Sequence, residues 1–147
     1  MEWETFAQGL AEEFAALPAG ALVVISEPGE GSRPHDRYAQ FAQETDRLTA
    51  ELVGNSYVLE DKRASEEGER AIAAAGWRPG PADHPNWQAE LAWPASSRQY
   101  QALAEMVVTG LRDGYGIADL GEFRYQAWNE KSGEDIELPR LGLPRVI

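Results

Sequence analysis

The stretch 76-GWRPGPADHPNWQAELAWP-94 constrains this chain more than any other. It holds Trp77, Trp87 and Trp93, three of the five tryptophans, and Pro79, Pro81, Pro85 and Pro94, four of the nine prolines. Each proline ring fixes φ and removes an N–H donor, and it pushes the preceding residue toward extended backbone. The first part of the stretch is therefore stiff and non-helical. Beyond it, Ala89, Leu91 and Trp93 alternate with Gln88, Glu90 and Ala92, the pattern of a strand with two unlike faces. We expect the stretch to cross the domain, enter a strand and pin two helices to one sheet, with Trp77 and Trp93 in the core and Trp87 in either setting.

The rest of the chain supplies those helices and strands. Trp3, Phe6, Leu10, Phe14 and Leu17 recur at helical steps, so 2–17 reads as an amphipathic helix stopped by Pro18 and Gly20. Ala21 to Ser26 is a short apolar run, read as a buried strand, and 28–36 as a loop. Residues 37–43 and 47–53 alternate as paired strands about Glu44, Thr45 and Asp46. Ala39, Phe41, Leu48, Ala50 and Leu52 face one side, and Tyr38, Gln40, Thr49 and Glu51 the other. Tyr57 to Leu59 reads as a short extended piece. Ser65 caps a helix that runs to Ala75 and ends at Gly76. Ser96 with Gln99 forms a capping box for a long helix bearing Tyr100, Leu103, Ala104, Val107, Val108 and Leu111. Residues 122–128 make a last strand, with Phe123, Tyr125 and Ala127 opposite Arg124, Gln126 and Trp128.

These elements predict an α+β fold, an antiparallel sheet of about five strands with helices on one side. The 147 residues match one domain, 1–147, with 129–147 as a tail that either docks through Leu138, Leu141 and Leu143 or stays mobile.

Charge and composition narrow the partners. The net charge is −12, and no basic patch interrupts it, which excludes nucleic acid and anionic membrane surfaces as expected partners. There is no cysteine, the first twenty residues hold acids and no base, and no apolar run approaches the ~20 residues of a membrane span. A cytoplasmic protein is expected.

Catalytic patterns are sparse. The glycines of 28–36 lack the Gly-Lys-Ser/Thr ending and the helix of a phosphate loop. The two histidines each adjoin an aspartate, His35-Asp36 and Asp83-His84, but neighbours on extended chain point apart. They read as solvated loop residues; converging, they would make a zinc-type site, which their spacing does not support. Ser32 with His35 lacks a nucleophile elbow. No cofactor and no metal are expected. Trp128 and Tyr38 fall on the sheet face opposite the apolar one, where aromatic groups among polar ones mark a protein contact.

The order of segments resembles a known family. The opening 3-WETFAQGLAEEFAALPAG-20 leads to 38-YAQFAQ-43 and 47-RLTAELVGNSYV-58, then to 76-GW-77, 85-PNW-87, 103-LAEMVVTGLRDGYGI-117 and 125-YQAW-128. Order and spacing rather than any single motif carry the similarity, which runs to about residue 128. The chain resembles the TY-Chap domain family, related to YbjN-like proteins and to type III secretion chaperones. The resemblance implies a type III secretion chaperone-like α+β fold, frequent dimers and a non-enzymatic role in holding another protein, with no catalytic residue to carry over.

Two functional expectations follow. In the first, the chain is a chaperone-like homodimer that holds a protein client through Tyr38, Gln40 and Trp128. In the alternative, a small-molecule binder or small enzyme uses a pocket near Trp77, Asp83, His84 and Trp87.

Overall fold

The computed structural model describes residues 2–29 and 35–146. In chain order the elements are α1 (Trp3–Ala16), β1 (Ala21–Pro28), β2 (His35–Gln43), β3 (Arg47–Leu52), α2 (Glu66–Ala75), β4 (Trp87–Ala92), α3 (Ser97–Thr109) and β5 (Arg124–Asn129). Every neighbouring pair of strands is antiparallel, and the sheet order is β4-β3-β2-β1-β5. This is the expected α+β architecture.

One face of the sheet carries the core. Val23, Ile25, Ala39, Phe41, Leu48, Ala50, Leu52, Tyr125 and Ala127 are buried and share that face by strand alternation. They meet Phe6, Leu10 and Phe14 of α1 and Tyr100, Leu103, Ala104 and Val107 of α3. Phe14 stands edge-on to Phe41 with ring centroids 4.8 Å apart, a favourable aromatic geometry. The capping box of α3 is present, since Ser96 Oγ accepts from the Gln99 amide and the Gln99 side chain accepts from the Ser96 amide. Gly76, at φ 118°, takes the left-handed turn that ends α2, a conformation in which a side chain would be strained.

The 76–94 stretch does pin helix to sheet. Trp77 is buried, and its indole N–H donates to the Met106 carbonyl of α3 at 2.9 Å. At the far end of the crossing, the buried Asn86 accepts from the Gly54 amide at 2.9 Å, just past β3. The chain then becomes β4 beside β3.

Four expectations need correction. Trp93 is not core: it is 38% exposed. The β4 ladder ends at Ala92, and the Trp93 amide donates to Asp46 in the turn before β3, leaving the side chain past the end of an edge strand. Residues 57–59 do not form one extended piece: Tyr57 closes a 3-10 turn, Asn55–Tyr57, and only Val58 is extended before Leu59 leads into a second such turn, Glu60–Lys62. β1 is not buried on both sides, because Leu22 and Val24 alternate outward and are half-buried. Asp36 is not part of the loop expected over 28–36. It lies in β2 with its side chain sealed, paired to Lys62 Nζ at 2.7 Å. Ser32 lies outside the described residues, as does the side chain of His35.

Residues 130–146 return along the sheet. The Val146 amide donates to Tyr125, and the Tyr125 amide to Pro144; the Ile136 amide donates to Ala127, and the Asn129 amide to Glu134. Leu138 and Leu141 are buried, and the Arg140 carbonyl lies against Gly9 of α1, where an added Cβ would meet it at 1.9 Å. The buried Glu13 carboxylate accepts from the Arg140 amide at 2.8 Å and from its guanidinium at 3.2 Å.

Candidate functional site

The helices leave the other face of the sheet uncovered. Alternation puts Leu22 and Val24 of β1, Gln40 and Ala42 of β2, Thr49 and Glu51 of β3, and Trp128 of β5 on that face. Together they line an open groove of about 270 Å³. Leu22 stands between its cross-strand partners Trp128 and Ala42, and Val24 lies opposite Gln40. The floor is thus aliphatic, with an indole at one wall and polar groups at the other.

The polar wall is a connected network centred on Glu51. Its Oε1 accepts from Gln40 Nε2 at 3.3 Å and from Asn86 Nδ2 at 3.1 Å, and lies 2.7 Å from His84 Nε2. Asn86 Nδ2 also donates to the Tyr38 hydroxyl at 3.1 Å. Burial pushes the Tyr38 phenol up, with the Asn86 hydrogen bond opposing that shift. Asn86, which follows Pro85, accepts in turn from the Gly54 amide, and this buried hydrogen bond fixes the wall from the crossing loop.

Tyr38 and Trp128 therefore share a face but not a patch. Tyr38 lies opposite Ser26, and Trp128 is two strands away opposite Leu22. Four residues of strand, about 13 Å, separate the two levels. Gln40 lies between them and belongs to both the groove and the network. Trp77, Asp83, His84 and Trp87 are placed apart. Trp77 is sealed under α3, Trp87 pairs with Leu52 on the helix side, Asp83 is exposed in the loop, and His84 contacts Glu51 on the opposite face. Sequence reasoning missed Glu51 and Asn86 as organising residues. The one signal for Asn86 was its position between Pro85 and Trp87, where a polar side chain on stiff backbone has a fixed aim.

Among the described residues, no helix is long and apolar enough to cross a membrane, and no group of three or more His, Asp or Glu is arranged to hold a metal ion. The arrangement offers a half-apolar, half-polar groove on a rigid sheet, suited to noncovalent recognition.

Helices on one face of an antiparallel sheet and an uncovered groove on the other define an α+β domain of the chaperone-like kind. The chain belongs to TY-Chap3, described as T3SS (YopN, CesT) and YbjN peptide-binding chaperone 3, whose model matches residues 1–129. That membership implies a peptide-binding, chaperone-like role. No curated protein and no solved structure matches the chain significantly.

Proposed function

We propose that the chain is a non-catalytic chaperone-like module that holds a segment of a protein client in the outer-face groove between Trp128 and Glu51. Family membership supports the peptide-binding role, and the groove is the single observation that supports this location for it. Leu22, Val24 and Trp128 offer apolar contact, while Gln40 and Glu51 present polar groups whose orientation the network sets. Such a site recognises side chains without making or breaking covalent bonds. The reading includes a homodimeric working unit in the cytoplasm.

The test pairs light scattering with client capture and titration for wild type, Trp128→Ala and Tyr38→Phe. A dimer that loses its client at least about tenfold in affinity on Trp128→Ala, with unchanged folding, is the expected result. A strict monomer that retains the same client regardless of Trp128 would count against the reading.

A further inference from the structure

The two edges of the sheet are treated differently. At β5, the outward amides of Tyr125 and Asn129 are taken by the tail, and so is the carbonyl of Ala127. At β4, cover stops after one residue. Gln88 exchanges both its backbone hydrogen bonds with Arg78, at 3.0 and 2.8 Å. Gln88 thus faces away from β3, and by alternation so do Glu90 and Ala92. The register agrees, since the Trp93 amide turns the other way to reach Asp46. The N–H and C=O groups of Glu90 and Ala92 meet no hydrogen-bond partner among the described residues. They repeat at about 7 Å, the two-residue step of an extended chain.

Beside this edge lies an open groove of about 430 Å³ between β4 and α3. Ala89, Leu91, Leu103 and Met106 contribute its apolar lining, and Arg78 and Glu90 border it, the Glu90 side chain lying on the outer face with its cross-strand partner Thr49. Trp93, exposed, stands just past its end.

We infer that the Glu90–Ala92 edge takes up an extended segment of the client as a sixth strand. The client's backbone would pair with Glu90 and Ala92. Alternate side chains on one side fill the groove over Leu91 and Met106; those on the other side lie beside Glu90 on the outer face. An aliphatic residue suits the first set and a lysine or arginine the second, because opposite charges across a strand pair attract. The net charge of −12 favours the same basic segment and disfavours a second copy of this chain at this edge. This inference rests on the peptide-holding role, but it assigns the backbone of the client to an edge that the outer-face groove does not include.

The test follows amide exchange by NMR in the full chain with a synthetic peptide of about seven alternating valines and lysines, and a valine–glutamate peptide as control. The valine–lysine peptide should slow exchange at Glu90 and Ala92 at least about tenfold and the control should not. Glu90→Pro removes the outward N–H at 90 without touching the bonds to β3, so it should abolish the protection at Ala92 while the thermal midpoint stays close to wild type. Trp93→Ala, a surface change, provides a second variant, expected to weaken the peptide severalfold. No protection at these two amides with millimolar valine–lysine peptide overturns the inference. So does protection that grows with protein concentration and no peptide, which would mean a second copy. Peptide binding that Trp128→Ala destroys and Glu90→Pro leaves intact overturns the edge while sparing the outer-face groove; the reverse spares the edge alone.

Discussion

Nε2 of His84 lies 2.7 Å from Oε1 of Glu51, a contact that joins the crossing loop to the uncovered face of β3 across 33 residues of chain. The same oxygen accepts from Gln40 and Asn86, so one carboxylate holds three side chains from two other segments. Glu51→Ala should cost on the order of 1–2 kcal/mol, since Gln40 and His84 are partly exposed and regain water while the buried Asn86 amide keeps the Tyr38 hydroxyl. Asn86→Ala should cost more, about 2–3 kcal/mol, because the buried Gly54 amide is left without an acceptor. His84→Ala should cost under about 1 kcal/mol, as its side chain is half exposed. Denaturant melts of the three variants check the ranking; a His84 loss equal to the Asn86 loss would refute it.

Gly9→Ala inverts the usual helix rule. In a free helix the change would favour folding by about 1 kcal/mol. Here the new Cβ meets the Arg140 carbonyl at 1.9 Å, a backbone atom that cannot swing aside. The variant should expel residues 138–141 from α1, exposing Leu138 and Leu141 and freeing the Glu13 carboxylate from Arg140. Limited proteolysis should then cut within 130–146 faster than in wild type, and the thermal midpoint should fall rather than rise.

Two ionisations set opposite pH limits. Burial alone would raise the Glu27 carboxyl, but the Arg37 hydrogen bonds and charge, with the more distant charge of Lys62, bring it below its ordinary 4.5. Its folded form releases the proton more readily than the unfolded one. The stability it contributes is therefore complete above 4.5 and is lost as pH falls through the lowered value. Burial pushes the Tyr115 phenol up from its ordinary 10, where its hydroxyl donates to the Val53 carbonyl. That contribution is complete below 10 and is lost as pH rises beyond it. Arg37→Met should cost about 3 kcal/mol near neutrality and shift the acid midpoint upward, because it strands a largely buried carboxylate. Tyr115→Phe should flatten the alkaline limb. Equilibrium unfolding across pH checks both.

The tryptophans of the crossing should divide by setting. Trp77→Phe removes buried volume and leaves the Met106 carbonyl without its donor, for a loss of about 2 kcal/mol. Trp93→Ala removes an exposed group, and its effect on stability should stay within about 0.5 kcal/mol. Calorimetry of the two variants decides; similar midpoints would contradict the assignment.

That contrast also shows what was legible in the sequence. Alternation in 37–43, 47–53 and 122–128 identified strands and their core faces to within a residue or two of β2, β3 and β5, because one side of each is covered and the other is not. The cap at Ser96 and the turn at Gly76 were readable because each satisfies a local backbone need. Trp93 was not readable: its parity continues that of Leu91, and only the end of the ladder at Ala92 leaves it outside. The separation of Tyr38 from Trp128 was equally hidden. Each residue's face follows from its own strand, but their distance depends on strand order, with β1 between β2 and β5. Glu51 read only as an outward residue of its strand until the crossing loop brought His84 and Asn86 to it.

A ribbon of molecules stacked sheet to sheet would need every member to offer a vacant margin on both flanks. Here residues 134–146 close the β5 flank with the chain's own backbone. Any strand acquired at the other side finds no continuation through the molecule, so growth stops after a single addition and the protein is kept from polymerising upon itself.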